Sequence, residues 1–222
     1  MGTSSLSDYD PRQVAVLIPA YNEEEYLGKT LSALIYSNIG KIYVADDASE
    51  DETAKVAESF GVTVLKASKN LGKGGVLNFA LPQIESSVIC LLDADLGASS
   101  VEGKKLIEEV LLGADLAIAQ FRSKGGFGLV RKATTFLLFL KTGRLFKSPL
   151  SGQRAARKEV WESLLPFAPG FSIEVAMLKK ACQGNLKIVE VPVEMTDRSY
   201  GKGLKGMTHR FKQLLAVIRG LR

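Results

Sequence analysis

Short apolar runs alternate with stretches of helical periodicity through the first 121 positions. Residues 14–19 form an apolar run ended by proline, the mark of a strand. Residues 23–37 place Tyr26, Leu27, Leu31, Leu34 and Ile35 at helical spacing. The same logic predicts strands at 41–45, 62–67, 87–92 and 116–121. It predicts helices at 49–60 (opened by a Ser/Asp cap), 73–84 and 100–112. The run Val88-Ile89-Cys90-Leu91-Leu92 is wholly apolar, as expected of a strand covered on both faces in a parallel sheet. Strand–helix alternation at this spacing predicts an α/β fold, in which ligands bind beyond the carboxyl ends of the strands.

The pattern changes after residue 121. Residues 125–128 read as a glycine-rich loop, 129–146 as an apolar and basic helix, and 148–153 as a loop. Helices at 157–165 and 172–183 and a strand at 187–193 follow. Residues 196–207 read as a glycine-rich mobile loop and 208–222 as a basic amphipathic helix. No linker separates the parts, so the expectation is a single domain with two halves, 13–121 and 122–222.

A chain of 222 residues with 46% apolar and 24% charged residues suits one sizeable globular core. Its net charge of +5 is unevenly spread. Residues 1–119 carry 9 Lys and Arg against 18 Asp and Glu, and residues 120–222 carry 20 against 6. An acidic half beside a basic half suits a cation on one side and an anionic partner on the other. Cys90 and Cys182 form no disulfide framework, which fits a reducing compartment. The polar first twelve residues show no signal peptide, and no run approaches a membrane span of about 20 apolar residues. The expectation is a cytoplasmic protein, with attachment to the inner membrane face as an extension of it. Nucleic acid is not an expected partner.

Asp93-Ala94-Asp95 ends the most apolar strand. Strand alternation would set both carboxylates on one side, where a hard divalent ion would compensate them and bridge diphosphate oxygens. The plainer alternative is a pair of loop acids capping the next helix. Asp46-Asp47 and Pro19-Ala20-Tyr21-Asn22-Glu23 end two other strands and should reach the same edge. A carboxylate there suits a base N–H or a ribose hydroxyl, and Tyr21 suits base stacking; the alternative for Asp47 is a helix cap shared with Ser49 and Asp51. Asn70-Leu71-Gly72-Lys73-Gly74-Gly75 is a turn that lets an anion approach, with Lys73 and helix-start N–H groups facing a diphosphate. It is neither a Walker A loop nor a dinucleotide fingerprint. Glu174 stands in an apolar stretch, either as a general base or acceptor-orienting acid or as a helix-terminal acid paired with a lysine. His209 is the only histidine.

"VAVLIPAYNEEEYL", "IYVADDASEDET", "NLGKGG" and "CLLDADL" stand in the order and spacing of glycosyltransferase family 2, which the chain resembles. "SPLSGQRAARKEVW", "GFSIEVAMLKKA" and "VEVPVEMTDRSYGKGLKGMTHR" resemble two groups of that family, the polyprenyl-phosphate sugar synthases and the glucosyl-3-phosphoglycerate synthases. The resemblance implies a GT-A fold and transfer of a hexose from a nucleoside diphosphate, UDP ahead of GDP, to a phosphate-bearing acceptor. It implies that Pro19, Ala20, Tyr21, Glu23 and Asp47 line the base and ribose pocket, and that Lys73 and Ala94 contact the donor. Asp93 and Asp95 then address ribose and metal. His209 resembles a late histidine that completes the metal site, and imidazole tilts the ion from Mg²⁺ toward Mn²⁺. Two departures bear on the acceptor. Gly97 replaces a side-chain ligand usual in the polyprenyl-phosphate group, and the loop at 125–128 lacks a phosphate-gripping arginine. Arg122, Arg131 and Arg154 are the substitutes, with Ser151 and Gly152 beside them. Two other readings compete: a sugar-nucleotide pyrophosphorylase, whose phosphate loop is missing after the first strand, and a non-enzymatic nucleotide-sugar sensor.

The segments 131–147 and 211–222 interleave apolar and basic residues. Such helices lie on anionic bilayers, or they pack on the sheet.

Overall fold

The computed structural model describes residues 9–121, 128–167 and 173–195, with backbone alone for 128–131. Among the described residues, seven strands form one sheet in the order β3-β2-β1-β4-β6-β5-β7. These are β1 (Val14–Ala20), β2 (Lys41–Asp46), β3 (Thr63–Lys66), β4 (Val88–Leu91), β5 (Leu116–Phe121), β6 (Arg154–Arg157) and β7 (Ile188–Val193). The pairings β1–β2, β1–β4, β2–β3 and β5–β7 are parallel. Strand β6 runs antiparallel to both β4 and β5.

Alternation along the strands splits the core into two layers. Val14, Val16 and Ile18 of β1 face helices α1 (Glu24–Tyr36) and α4 (Gly103–Leu111), meeting Leu27, Leu31, Leu34, Leu106, Ile107 and Val110. Ala15 and Leu17 face the other way. There they join residues of α3 (Gly72–Ala80), α5 (Gly128–Thr142), α6 (Lys158–Leu164) and α7 (Ile173–Gln183). Helix α2 (Thr53–Ser59) adds Ala57 to the first layer. Both faces are therefore covered, as wholly apolar parallel strands require. Trp161 plugs the second layer, donating its indole N–H to the Ile89 carbonyl at 3.0 Å.

The predicted strands lie within a residue or two of the observed ones, and 116–121 coincides with β5. Three differences matter. Residues 154–157, given no element in the sequence reading apart from a helix start at 157, form β6. Its sequence Arg-Ala-Ala-Arg is short and lacks β-branched residues, so only pairing on both sides makes it a strand. The helix expected at 100–112 begins as a 3-10 turn at Gly97–Glu102. The helix expected at 49–60 starts only at Thr53, whose N–H donates to Asp51 at 2.9 Å. The predicted loop at 196–207 and helix at 208–222 lie outside the described residues.

Candidate active site

Because β1, β2 and β4 are parallel, their carboxyl ends share one edge of the sheet. The antiparallel β6 brings its amino end to the same edge, with Arg154 opposite Leu91. Four chain segments far apart in sequence therefore meet there: 19–23, 46–53, 93–97 and 151–154. Helix α3 adds Lys73 from just beyond β3.

Lys73 is the hub. Its ammonium lies 2.7 Å from Asp93 Oδ1 and 3.5 Å from Glu174 Oε1. Burial alone would depress this ammonium, but the charges of Asp93 and Glu174 outweigh it and hold Lys73 above the ordinary lysine range. It stays charged at every physiological pH. The second Asp93 oxygen accepts from Gln153 Nε2. Of the two expectations for Glu174, the lysine pairing is the contact present. Asp93 and Glu174 thus fix Lys73 from two sides, with about a third of the lysine side chain still exposed.

Gly152 explains how β6 approaches so closely. A Cβ at this position would sit 2.7 Å from Lys73 Nζ and 3.1 and 3.3 Å from the Asp93 oxygens. The obstructed group is the end of a flexible side chain, so a methyl should displace Lys73 rather than unfold the chain. Gly152→Ala is expected to lower donor turnover about 10- to 100-fold, the scale of an ångström misplacement, with little change in Tm. Steady-state kinetics beside a thermal melt would check this, and unchanged turnover would show that Lys73 need not hold its present position.

Asp47, expected to face a base or ribose, is engaged by the chain's own backbone. It is 3% exposed, and its two oxygens accept the backbone N–H groups of Leu71 at 2.7 Å and Gly72 at 2.8 Å. The helix-start N–H groups expected to face a diphosphate are those that Asp47 takes. Asp47 therefore ties the glycine turn to β2 and sets where Lys73 emerges, while Gly72, at φ +72°, makes the turn. Beside it Asp51, not Asp47, accepts the Thr53 N–H at the start of α2.

The ends of β1 and β2 are laced together. Asn22 N–H donates to Ser49 Oγ at 3.0 Å, and Glu23 N–H donates to Thr53 Oγ1 at 2.8 Å. Asn22 Oδ1 accepts from Glu50 N–H at 2.9 Å. Tyr21 stands 41% exposed on this rim, open to a planar ring. Pro19 and Ala20 complete β1 beneath it, Ala20 being buried.

Strand β4 ends at Leu91, so Asp93 and Asp95 lie beyond the pleat expected to set their side. Asp93 and Asp95 are each half-buried in the loop beyond, while Ala94 is 4% exposed and points into the core under α1. Ser151 is buried, its hydroxyl 3.3 Å from Gln153 Oε1. Arg154 is 1% exposed: its guanidinium donates to the carbonyls of Ser151 at 3.0 Å and Pro149 at 3.4 Å. Burial pulls it down to about 10, with Glu174 opposing the shift. It braces the 149–153 loop from below and presents no fork to an acceptor. Arg122 and His209 lie outside the described residues, as does the Arg131 side chain. Among the described residues no three His, Cys, Asp or Glu side chains gather as a metal set. Gln153 escaped sequence reading because its place beside Asp93 follows from β6, which has no hydrophobic pattern to reveal it.

The family model for glycosyl transferase family 2 matches residues 15–180. Among curated proteins, the chain is 32% identical over 214 residues to a dolichol-phosphate mannosyltransferase of Pyrococcus furiosus, covering 88% of this chain. The match spans only 60% of that enzyme's length. It is 28% identical over 213 residues to a polyprenol monophosphomannose synthase of Mycolicibacterium smegmatis, covering 86% of this chain and 80% of that one. Among solved structures, a glucosyl-3-phosphoglycerate synthase of Mycobacterium tuberculosis superposes with a TM-score of 0.76 at 26% identity, over 95% of this chain and 80% of the other. That structure holds Mn²⁺, UDP-glucose and phosphoglyceric acid. The sheet and its flanking helices are thus those of the GT-A fold, and the chain belongs to glycosyl transferase family 2 as a glycosyltransferase.

Proposed function

We propose that this glycosyltransferase moves a hexose from UDP-hexose to a phosphate-bearing acceptor, a polyprenyl phosphate at an anionic membrane surface. The observation that carries the donor half is the charged Lys73 at the strand edge, fixed by Asp93 and Glu174 and given room by Gly152. A lysine whose side chain is partly open to solvent suits a diphosphate as its bond to the sugar breaks. Its charge is then greatest in value where negative charge grows on the leaving group. Tyr21 stacks on the base, on the rim that Asn22, Ser49 and Thr53 hold in place. Asp93 keeps its lysine and glutamine partners and orients Lys73 toward the donor.

Asp95, half-buried in the loop beyond β4, is the carboxylate assigned to a divalent ion. Its oxygen donors suit Mg²⁺ or Mn²⁺, and Mg²⁺ in particular is commonly held by one or two carboxylates together with substrate phosphates. His209 is the second proposed ligand and favours Mn²⁺. When bound, the ion would neutralise charge on the diphosphate. The uridine preference draws on the UDP-glucose bound to the mycobacterial structure.

The acceptor half draws on the relatives and on α5. Two of the relatives are polyprenol or dolichol phosphate enzymes by name. The outer face of α5 and the residues after it leave Phe136 60%, Leu140 62% and Leu145 70% exposed, beside the exposed Lys132, Lys141, Arg144 and Lys147. Interleaved apolar and basic side chains suit the headgroup region of an anionic bilayer. Among the described residues no helix is long and apolar enough to cross a membrane. With Arg154 serving the 149–153 loop, Arg122 and Arg131 are the arginines proposed to meet the acceptor phosphate.

The test is transfer from labelled UDP-hexose, with polyprenyl phosphate in phosphatidylglycerol vesicles or with soluble phosphoglycerate. The expected result is label in the organic phase. Vesicle binding should be weakened by salt and by Phe136→Asp with Leu140→Asp. Transfer only to phosphoglycerate, with no vesicle binding at low salt, would overturn the lipid acceptor and install the soluble one.

A further inference from the structure

We infer that Thr30, in the middle of α1, is a positioning residue for the Asp95 carboxylate. Thr30 is fully buried, among the leucines that join α1 to the sheet. A hydroxyl in such surroundings costs stability unless both its donor and acceptor capacity are used. Here both are used, and both on one loop. Thr30 Oγ1 donates to the Ala94 carbonyl at 2.7 Å and accepts the Gly97 N–H at 2.8 Å.

Those two backbone groups bracket Asp95 and Leu96. Ala94 and Leu96, 4% and 3% exposed, are anchored in the same apolar layer, while Asp95 between them remains half-buried at the sheet edge. One hydroxyl thus closes the loop like a buckle, and the anchors on either side fix the Asp95 Cα. The turn itself is made by Gly97 at φ +53°, a conformation that suits glycine. A carboxylate that addresses an ion must be held to within about 0.5 Å, and a loop beyond a strand end has no ladder of its own to supply this. Thr30 supplies it from the neighbouring helix, without touching donor or ion.

This inference rests on the proposed divalent-ion role of Asp95. Its test is calorimetric titration of UDP at a series of Mn²⁺ concentrations, with a melt for each protein. Thr30→Val keeps the shape and removes both bonds. It should raise the Mn²⁺ needed for half-maximal UDP binding about tenfold, while ion-free UDP affinity stays within about twofold. Thr30→Ser keeps the hydroxyl and should restore most of the ion response. Should Thr30→Val fail to fold, Gly97→Ala takes its place. A methyl there meets no atom within 4 Å, so it acts only on the backbone that carries the bonded N–H. The same rise in Mn²⁺ requirement is expected. A variant that melts lower but keeps the wild-type Mn²⁺ requirement would overturn the inference, because a merely structural threonine would behave in that way. If the wild type itself binds UDP equally with and without Mn²⁺, the ion role of Asp95 fails and this inference fails with it.

Discussion

Lys73→Met is expected to reduce sugar transfer about a thousandfold, the largest effect of any single substitution outside the proposed ion site. The methionine fills similar volume but leaves nothing to meet the charge that grows on the diphosphate. It also strips the partner from Asp93 and Glu174, whose nearest lysine contacts are 2.7 and 3.5 Å. These carboxylates are partly solvated, so the stability cost should be modest, about 1–2 kcal/mol rather than the larger penalty of a fully buried orphan charge. Turnover and a denaturant titration on the same protein separate the two effects. A variant that folds and turns over within tenfold of wild type would remove Lys73 from the chemistry.

Asp95→Asn is expected to match it, by another route. The amide keeps the size of the carboxylate and loses its charge, so the fold and the Thr30 buckle should survive. UDP binding in the presence of Mn²⁺ should fall to the ion-free level, and transfer should drop by about two to three orders of magnitude. The contrast with Lys73→Met is diagnostic: that variant should retain an Mn²⁺ response in UDP binding, and Asp95→Asn should lose it. Unchanged UDP affinity in Mn²⁺ for Asp95→Asn would place the ion elsewhere.

The nucleotide edge was legible because it is built from parallel strands with strong signals. The runs of β1, β2 and β4 are apolar enough to be found directly, and a parallel sheet puts their carboxyl ends together whatever the loops do. The loops were less legible. Asp47 and Asp93 are the same residue type at two strand ends, yet Asp47 holds the turn at Leu71 and Gly72, a partner choice that only the folded loop reveals. Arg154 reads as a phosphate grip from its charge alone. Its burial follows from β6, an alanine-centred strand made by its neighbours rather than by its own propensity. Gln153, Gly152 and Thr30 act through geometry that no spacing rule encodes. A buried threonine at a helical core position looks like any small core residue until its hydroxyl is seen on Ala94 and Gly97.

Calorimetric titration of the wild-type chain with UDP and with GDP, each in Mn²⁺ and in EDTA, decides between donor and ion readings in one experiment. UDP in Mn²⁺ is expected to bind tightest, weakened at least about tenfold by EDTA and by replacing uridine with guanosine, a difference of about 1.4 kcal/mol in each case. Tighter binding of GDP than UDP, or UDP binding indifferent to the ion, would contradict the proposed function.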